Sequence, residues 1–149
     1  MKRLIVGTVA MSLAVSSVFA LSNKVEVKKS VILNQTTMVG SKNTGNAGIA
    51  IKGKNVKVDK SVLLNKTTMV GAQNSGNAGI EVEGKNKATI KKSVLLNQTT
   101  MVGGKNTGNA GISIKGKNVK LDKAVILNKT TMVGAQNSGN AGVQLGDEK

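Results

Sequence analysis

Residues 25 to 149 consist of four tandem copies of one unit. The copies cover residues 25–55, 56–87, 88–118 and 119–149, so their starts are offset by 31, 32 and 31 residues. Each copy holds a close variant of VILNQTTMVGSKNTGNAGI, which first runs from Val31 to Ile49. In an array with this period, each unit buries its apolar face only against its neighbours. The repeat therefore predicts a stacked solenoid rather than a globular core.

The first 20 residues have the composition of a secretory signal peptide. Lys2 and Arg3 precede an apolar run from Leu4 to Val15, and a small-residue exit ends at Ala20. We predict a helical signal peptide over 1–20, cleaved after Ala20 to leave a repeat domain over 21–149. The apolar run is too short to span a bilayer and no second one follows, so no membrane-spanning segment remains after cleavage. We expect a secreted protein, extracellular or on the cell surface.

The composition excludes most active-site chemistry. The chain has no His and no Cys, and its seven acidic residues are scattered rather than clustered. Catalytic triads, zinc sites and haem ligation need His or Cys, and calcium loops need clustered carboxylates. We therefore expect no enzymatic activity, no catalytic residues, no metal and no cofactor.

Within each unit, the residue pattern is that of short strands joined by tight turns. Apolar and polar residues alternate, β-branched residues are frequent, and Gly and Asn punctuate the runs. The pattern predicts an all-β solenoid of four stacked rungs of ~31 residues. In the second unit, corners are predicted at GAQNSGN (71–77) and GKN (84–86), with a further bend near Ser61 or Asn65 that gives each rung three sides. The residues assigned to the first kind of corner are Gly40, Asn43, Gly45, Asn46, Gly71, Asn74, Gly76, Asn77, Gly103, Asn106, Gly108, Asn109, Gly134, Asn137, Gly139 and Asn140.

Stacking turns each aligned position into a column of side chains. Three columns avoid like charges in neighbouring rungs, and a fourth contains only lysine. They are Lys28, Asp59, Lys91 and Asp122; Lys52, Glu83 and Lys115; Gln35, Lys66, Gln98 and Lys129; and Lys29, Lys60, Lys92 and Lys123. Exposed ion pairs stabilise by only ~0–1 kcal/mol each, so we expect the first three columns to set register. The lysine column is predicted to face solvent.

The alternating columns also make a prediction about self-assembly. They make the structural unit a pair of rungs that is used twice. If a second molecule stacks on the last rung, its Lys28 follows Asp122 and its Gln35 follows Lys129. No unit has the atypical sequence of a cap, and uncapped strand edges pair readily with further strands. We therefore predict a head-to-tail homopolymer.

Part of each unit resembles a known repeat. The segment MVGSKNTG, from Met38 to Gly45, resembles the curlin-type repeat of secreted bacterial fibre subunits, whose pattern is Gln-x-Gly-x-x-Asn-x-Ala. Gly40 and Asn43 match the family's Gly and Asn, and so do their equivalents in the other three copies. Met stands in place of the family's Gln, and Gly stands in place of its Ala. The resemblance implies a curli-like functional amyloid fibre of surface adhesion or biofilm matrix, with a dedicated export and nucleation partner.

Two other functions stay open. The formal net charge of +15 falls to +13 when Lys2 and Arg3 leave with the signal peptide. A monomeric solenoid could use its lysine columns to bind anionic polysaccharide, lipopolysaccharide or nucleic acid without specificity. Paired threonines such as Thr36 and Thr37 suggest ice binding, but adjacent strand residues point to opposite sides, so only one threonine column can face out.

Two further columns are predicted to be structural. The Asn34-Gln35-Thr36 sequence fits a glycosylation sequon, but its recurrence favours an asparagine ladder at a bend. The column that starts at Met38 favours packing in the core or between sheets rather than a metal site. GSKNTGNA, residues 40–47, lacks the Lys and Ser/Thr of a phosphate-binding loop and is assigned to the corner.

Overall fold

The structure, a computed structural model, describes residues 17–40, 42–43 and 46–146. All regular structure in this part of the chain is β-strand. The strands are β1 (Ser17–Lys28), β2 (Val31–Val39), β3 (Lys42–Asn43), β4 (Ile49–Asp59), β5 (Val62–Val70), β6 (Gln73–Asn74), β7 (Ile80–Lys91), β8 (Val94–Val102), β9 (Lys105–Asn106), β10 (Ile112–Lys115), β11 (Asn118–Asp122), β12 (Val125–Val133), β13 (Gln136–Asn137) and β14 (Val143–Leu145). The predicted signal helix falls mainly outside the described residues, and its last four residues, 17–20, form the start of β1 instead.

The strands form three parallel sheets. The first sheet has the order β1-β4-β7-β10-β14, with β11 also paired to β7; the second has the order β2-β5-β8-β12, and the third β3-β6-β9-β13. Paired residues are 31 or 32 positions apart, as in Val31 with Val62 and Val62 with Val94. Each turn of the chain therefore adds one strand to every sheet. The predicted all-β solenoid of four rungs is confirmed.

Each rung has three sides, and the bend that begins it lies at a lysine. In the second rung, Lys60 has φ 51° and Gly71 has φ 59°, so both corners use the left-handed region. The rung bends at Lys60 and Ser61 and stays straight at Asn65, which lies in the middle of β5. The left-handed region costs a non-glycine residue roughly 1–2 kcal/mol. The Ser61 hydroxyl donates to the Asp59 carbonyl at 2.8 Å and closes the bend.

The GKN string does not form a corner, contrary to the sequence prediction. Gly84, Lys85 and Asn86 lie inside β7. Gly53 pairs with Gly84 and Asn55 pairs with Lys87, so the second rung has one more residue here than the first. A β-bulge absorbs this residue, which explains why one repeat offset is 32 rather than 31.

The core fills the space between the sheets with aliphatic columns. In β5, Leu63 points inward and is fully buried, whereas Leu64 is half-buried on the outer face. A second, smaller cluster lies against the third sheet and contains Met69 and Met101, which are both fully buried. The core assignment of the methionine column is confirmed.

Candidate assembly interface

The last rung leaves its inward-facing aliphatic side chains uncovered. Ile112 and Ile114 are fully buried in β10, but Val143 and Leu145, which stack on them in β14, are 47% and 52% exposed. Met132, the last of the methionine column, is 45% exposed. Apolar surface stabilises by about 25 cal/mol per Å² when it leaves water. A further rung added at this end would recover that free energy.

The backbone of the last rung is open at the same end. β12, β13 and β14 each stand last in the order of their sheet, with one neighbouring strand in the described part of the chain. An edge strand presents a row of N–H and C=O groups to any strand that can pair with it. The C-terminal end of the solenoid (β11 to β14) therefore combines an open apolar core with open strand edges. We call it the open end.

A buried asparagine ladder runs through the centre of the solenoid. The Nδ2 atoms of Asn34, Asn65 and Asn97 each donate to Oδ1 of the asparagine in the next rung at 2.7 Å. Each also donates at 2.9 Å to an alanine carbonyl across the core in its own rung. The prediction of a ladder at a bend is wrong in its placement, because this position is the inward-facing centre of the second sheet. Asn65 is 3% exposed, so the acceptor asparagine of its sequon is inside the protein.

The ladder stops at the open end with an amide that has fewer partners. Asn128 Nδ2 donates to Thr130 Oγ1 at 3.3 Å and to the Ala141 carbonyl at 2.8 Å within its own rung. In a second molecule stacked in the same register, Asn34 Oδ1 would occupy the place of the next acceptor. The ladder has a direction, from first rung to last, so it can continue only if molecules stack head to tail.

Two more asparagine columns flank the corner. Asn74 donates to Asn106 Oδ1 at 2.8 Å, and Asn106 donates to Asn137 Oδ1 at 2.7 Å. The other column runs in the opposite direction, since Asn140 donates to Asn109 Oδ1 at 2.9 Å. The hydrogen bonds of one asparagine column thus run from the first rung to the last, and those of the other run from the last rung to the first. Head-to-tail stacking is the one orientation that continues every column.

A glycine column shows how closely the rungs approach. A Cβ built on Gly79 would lie 1.9 Å from the Gly111 carbonyl oxygen, and one on Gly111 would lie 2.0 Å from the Gly142 oxygen. At Gly142 the nearest atom is Asn140 Oδ1 at 3.9 Å. The sequence reasoning did not single out this column, which begins at Gly48. Its last member has room for a side chain in the monomer but would meet the backbone of any rung stacked on it.

The predicted turn residues are divided among three structural roles. Gly40, Gly71, Gly103 and Gly134 have φ between 56° and 60° and turn the chain out of the second sheet. Gly108 and Gly139 follow the third sheet, and a Cβ on either would lie 2.0 Å from a glycine oxygen in the rung before. The asparagines of both columns, from Asn74 and Asn46 onward, hold neighbouring rungs together. Gly45 and the side chain of Asn43 lie outside the described part.

The column that starts at Lys28 has the register predicted from the sequence, but not every carboxylate in it forms an ion pair with the lysine of a neighbouring rung. Lys28 pairs with Asp59, Asp59 with Lys91, and Lys91 with Asp122 along the sheet. Lys91 Nζ lies 3.6 Å from Asp122, whereas Asp59 is paired with Lys57 at 3.9 Å. Asp59 Oδ1 is buried without a hydrogen bond. The last carboxylate, Asp122, is the one that a stacked molecule's Lys28 would meet.

The second charged column is centred on Lys52. Its Nζ lies 3.4 Å from Glu83 in the next rung and 2.9 Å from Glu81. Partial burial works to lower the pKa of Lys52, but the hydrogen bond and charge of Glu81, together with Glu83, outweigh it, so this pKa lies above its ordinary value. Lys115 stands in register with Glu83. This column therefore links rungs within the molecule rather than at its end.

The remaining two columns lie on the outer surface. Gln35 pairs with Lys66, Lys66 with Gln98, and Gln98 with Lys129 in the second sheet, so lysines alternate with amides. All four members of the lysine column are exposed. They are Lys29, Lys60, Lys92 and Lys123, and each has φ between 49° and 51°. The sequence predicted the exposure of this column but not that lysine would occupy the left-handed corner.

The threonine pairs split between the two faces of the second sheet. Thr67 and Thr99 are fully buried, whereas the threonines that follow them, Thr68 and Thr100, are half-buried on the outer face. One threonine column therefore faces outward, as expected.

No family model, curated protein or solved structure matches this chain. In the described residues, no helix has the length and apolar character needed to cross a membrane. The same residues contain no group of three or more acidic, His or Cys side chains that could hold a metal ion.

A charge reversal at Asp122 is expected to slow stacking. In Asp122→Lys, the new lysine would lie between Lys91 and the Lys28 of the next molecule, so like charges would face each other across the junction. We expect slower fibre elongation at low salt and recovery at high salt, because added ions screen exposed charges. Seeded elongation followed by light scattering over a salt series measures this.

The matched control for this change is Asp59→Lys, which adds the same charge inside the molecule. Because Asp59 does not face the junction, this variant should elongate near the rate of the unaltered protein as long as it is folded. Circular dichroism checks folding first, since Asp59 is buried between Lys28 and Lys91 and a lysine there lowers monomer stability. Equal slowing by both variants would assign the effect to net charge and would contradict a role of the Asp122 column in the junction.

Proposed function

We propose that this protein is a secreted structural protein whose copies stack head to tail into an extracellular fibre of the curli-like type, serving surface adhesion or biofilm matrix. The observation that carries the proposal is the open end. Val143 and Leu145 are half exposed at positions that are fully buried in the rungs before. The aliphatic columns are therefore left uncovered at the last described rung.

The first rung offers what the open end lacks. Laid on the last rung in the register of the solenoid, a second copy places its β2 on β12 and its β3 on β13. Its Lys28 then follows Asp122, its Gln35 follows Lys129 and its Asn34 follows Asn128. Each of these pairings repeats a register found between rungs inside the molecule, such as Asp59 with Lys91 and Asn65 with Asn97, and the asparagine pair is hydrogen-bonded. The packing at such a junction would be the same as the packing between two rungs of one molecule.

The fibre would be held by backbone pairing with little side-chain chemistry of its own. Parallel in-register strands that pair every backbone group along one axis form the most stable protein fibres. Asparagine ladders add to such stacks, and the described residues form three of them, of which the one through Asn65 lies in the core. This arrangement supports a structural role, in which persistence matters more than reversible recognition.

The direct test is assembly of the purified mature chain, residues 21–149. We expect fibres in electron micrographs, a thioflavin response and growth that depends on protein concentration. A mature chain that remains monomeric at high concentration, without a thioflavin response, would contradict the proposal.

The exposed lysine column favours a second candidate function, which is binding of anionic surfaces by the monomer. Four lysines at one corner, one strand spacing apart, form a row of positive charge that matches a polyanion. Under this candidate, the mature chain stays monomeric and binds heparin, used as the probe, with an affinity that falls as salt rises. Light scattering during the titration separates the two functions, because only the fibre grows without a ligand.

A further inference from the structure

The first strand continues further toward the N-terminus than the solenoid requires. β1 pairs with β4 in two stretches, Ser17–Phe19 with Ile49–Ile51 and Ser22–Lys28 with Gly53–Asp59. A register shift separates the stretches between Phe19 and Ser22. The expected cleavage point, after Ala20, falls in this irregular step. Cleavage would thus remove the first stretch and leave the second.

The first stretch occupies a place that belongs to another rung. Along the first sheet, Ile49–Ile51 pairs with Ile80–Val82, and Ile112–Ile114 pairs with Val143–Leu145. In a head-to-tail stack, the strand beneath Ile49–Ile51 would be Val143–Leu145 of the preceding copy. Residues 17–19 of the same chain occupy that position in the full-length protein.

The inward-facing aliphatic side chains are exposed to different extents at the two ends of the solenoid. Ile49 and Ile51 are fully buried, and Ile32 and Met38 in the second sheet are each 7% exposed. At the open end, Val143, in the column of Ile49, is 47% exposed. The aliphatic columns are therefore covered at the end that carries residues 17–20 and exposed at the opposite end, although β2 and β3 at the first end each pair with one strand in the described part of the chain.

We propose that the edge of Ile49–Ile51 is the acceptor for Val143–Leu145 of a second copy, and that Ser17–Phe19 fills this edge until the leader is removed. The inference rests on the proposed fibre function. It adds that the leader blocks assembly until it is cleaved during export. The two occupants exclude each other, because one strand edge has a single row of N–H and C=O groups. A chain can offer this edge to the open end of another copy only after it has lost residues 17–20.

The backbone amide of Ala50 shows whether the edge of Ile49–Ile51 is occupied. The Ile49 amide donates to the Gly79 carbonyl in the next rung at 2.9 Å. Since successive amides of a parallel strand point to opposite sides, the Ala50 amide points to β1. Its hydrogen exchange should be protected in the full-length monomer, lose that protection in the mature monomer, and regain it in the fibre. Protection that is unchanged in the mature monomer overturns the inference, whether or not fibres form.

Assembly kinetics give the second test. The full-length chain, the mature chain and a full-length chain carrying both Val18→Pro and Phe19→Pro are compared at equal concentration. Proline removes the backbone donor, and of two adjacent residues one must point its amide at β4. We expect the full-length chain to remain monomeric, and the mature chain and the double variant to polymerise.

The outcomes separate this inference from the proposed function. A mature chain that does not polymerise contradicts the fibre function, and the Ala50 exchange result then decides the inference by itself. A full-length chain that polymerises as fast as the mature chain overturns the inference alone. A double variant that stays as inert as the full-length chain also overturns it, because the block would not come from the pairing of Ser17–Phe19.

Discussion

Replacing Gly142 with alanine is expected to leave the monomer folded and to abolish fibre growth. In the monomer, the nearest atom to a Cβ at this position is Asn140 Oδ1 at 3.9 Å. In a stack, the Cβ would face the Gly48 carbonyl of the next copy as a Cβ on Gly111 faces the Gly142 carbonyl, at 2.0 Å. Backbone cannot yield at that distance without separating the strands. Thermal unfolding should show stability unchanged or raised by up to about 1 kcal/mol, since alanine restricts the unfolded chain.

Two other glycine substitutions serve as controls. Gly111→Ala places the same methyl group between two rungs of one molecule, so we expect loss of roughly 4 kcal/mol or more of stability, which is exceptional for one substitution. Gly71→Ala has no atom within 4 Å of its Cβ but a φ of +59°, so it should cost roughly 1–2 kcal/mol of strain without affecting growth. Fibres of Gly142→Ala that grow at the normal rate would exclude a junction through this glycine.

The contrast between Gly111 and Gly142 also shows what the sequence could not reveal. The repeat period and the alternation within VLLNKTTMV were enough to predict the solenoid, the sheets and the column register, because these follow from side-chain direction alone. The Asn-Ala-Gly string is identical in all four copies, and its glycine carries no turn signal. Its role depends on the distance between backbones of different rungs, which only the assembled structure shows.

The corners were predicted less well than the strands for a related reason. Glycine and asparagine were expected at left-handed positions, but the bend before each second-sheet strand uses a lysine such as Lys60. In the first three rungs a serine follows this lysine and donates back to a carbonyl, as Ser61 does to Asp59. In the fourth rung Ala124 stands there and Lys123 makes the same bend, so the serine supports the bend without being required for it. Asn65 was one of the two positions expected for this bend. It faces inward instead, because the ladder and the Ala78 carbonyl satisfy its amide.

Replacing Asn97 with alanine is expected to produce a large loss of monomer stability. Asn97 is 4% exposed, and its side chain accepts from Asn65 and donates to the Ala110 carbonyl and to Asn128. Alanine leaves the Asn65 donor and the Ala110 acceptor without these bonds inside the core. Each buried polar group left unpaired costs ~1–3 kcal/mol, so the two together predict roughly 2–6 kcal/mol. Urea unfolding followed by circular dichroism measures the difference.

The same substitution at Asn128 tests the ladder at the open end. Asn128 is half-buried in the monomer, where water can replace its bonds, so Asn128→Ala should cost less there than Asn97→Ala. In the fibre, Asn128 would become an interior member of a continuous ladder, and the two substitutions should then weaken the fibre to a similar extent. The measurement is the denaturant concentration that dissolves the fibres of each variant. If Asn128→Ala weakens the fibre no more than it weakens the monomer, the ladder ends at each molecule and the junction lies elsewhere.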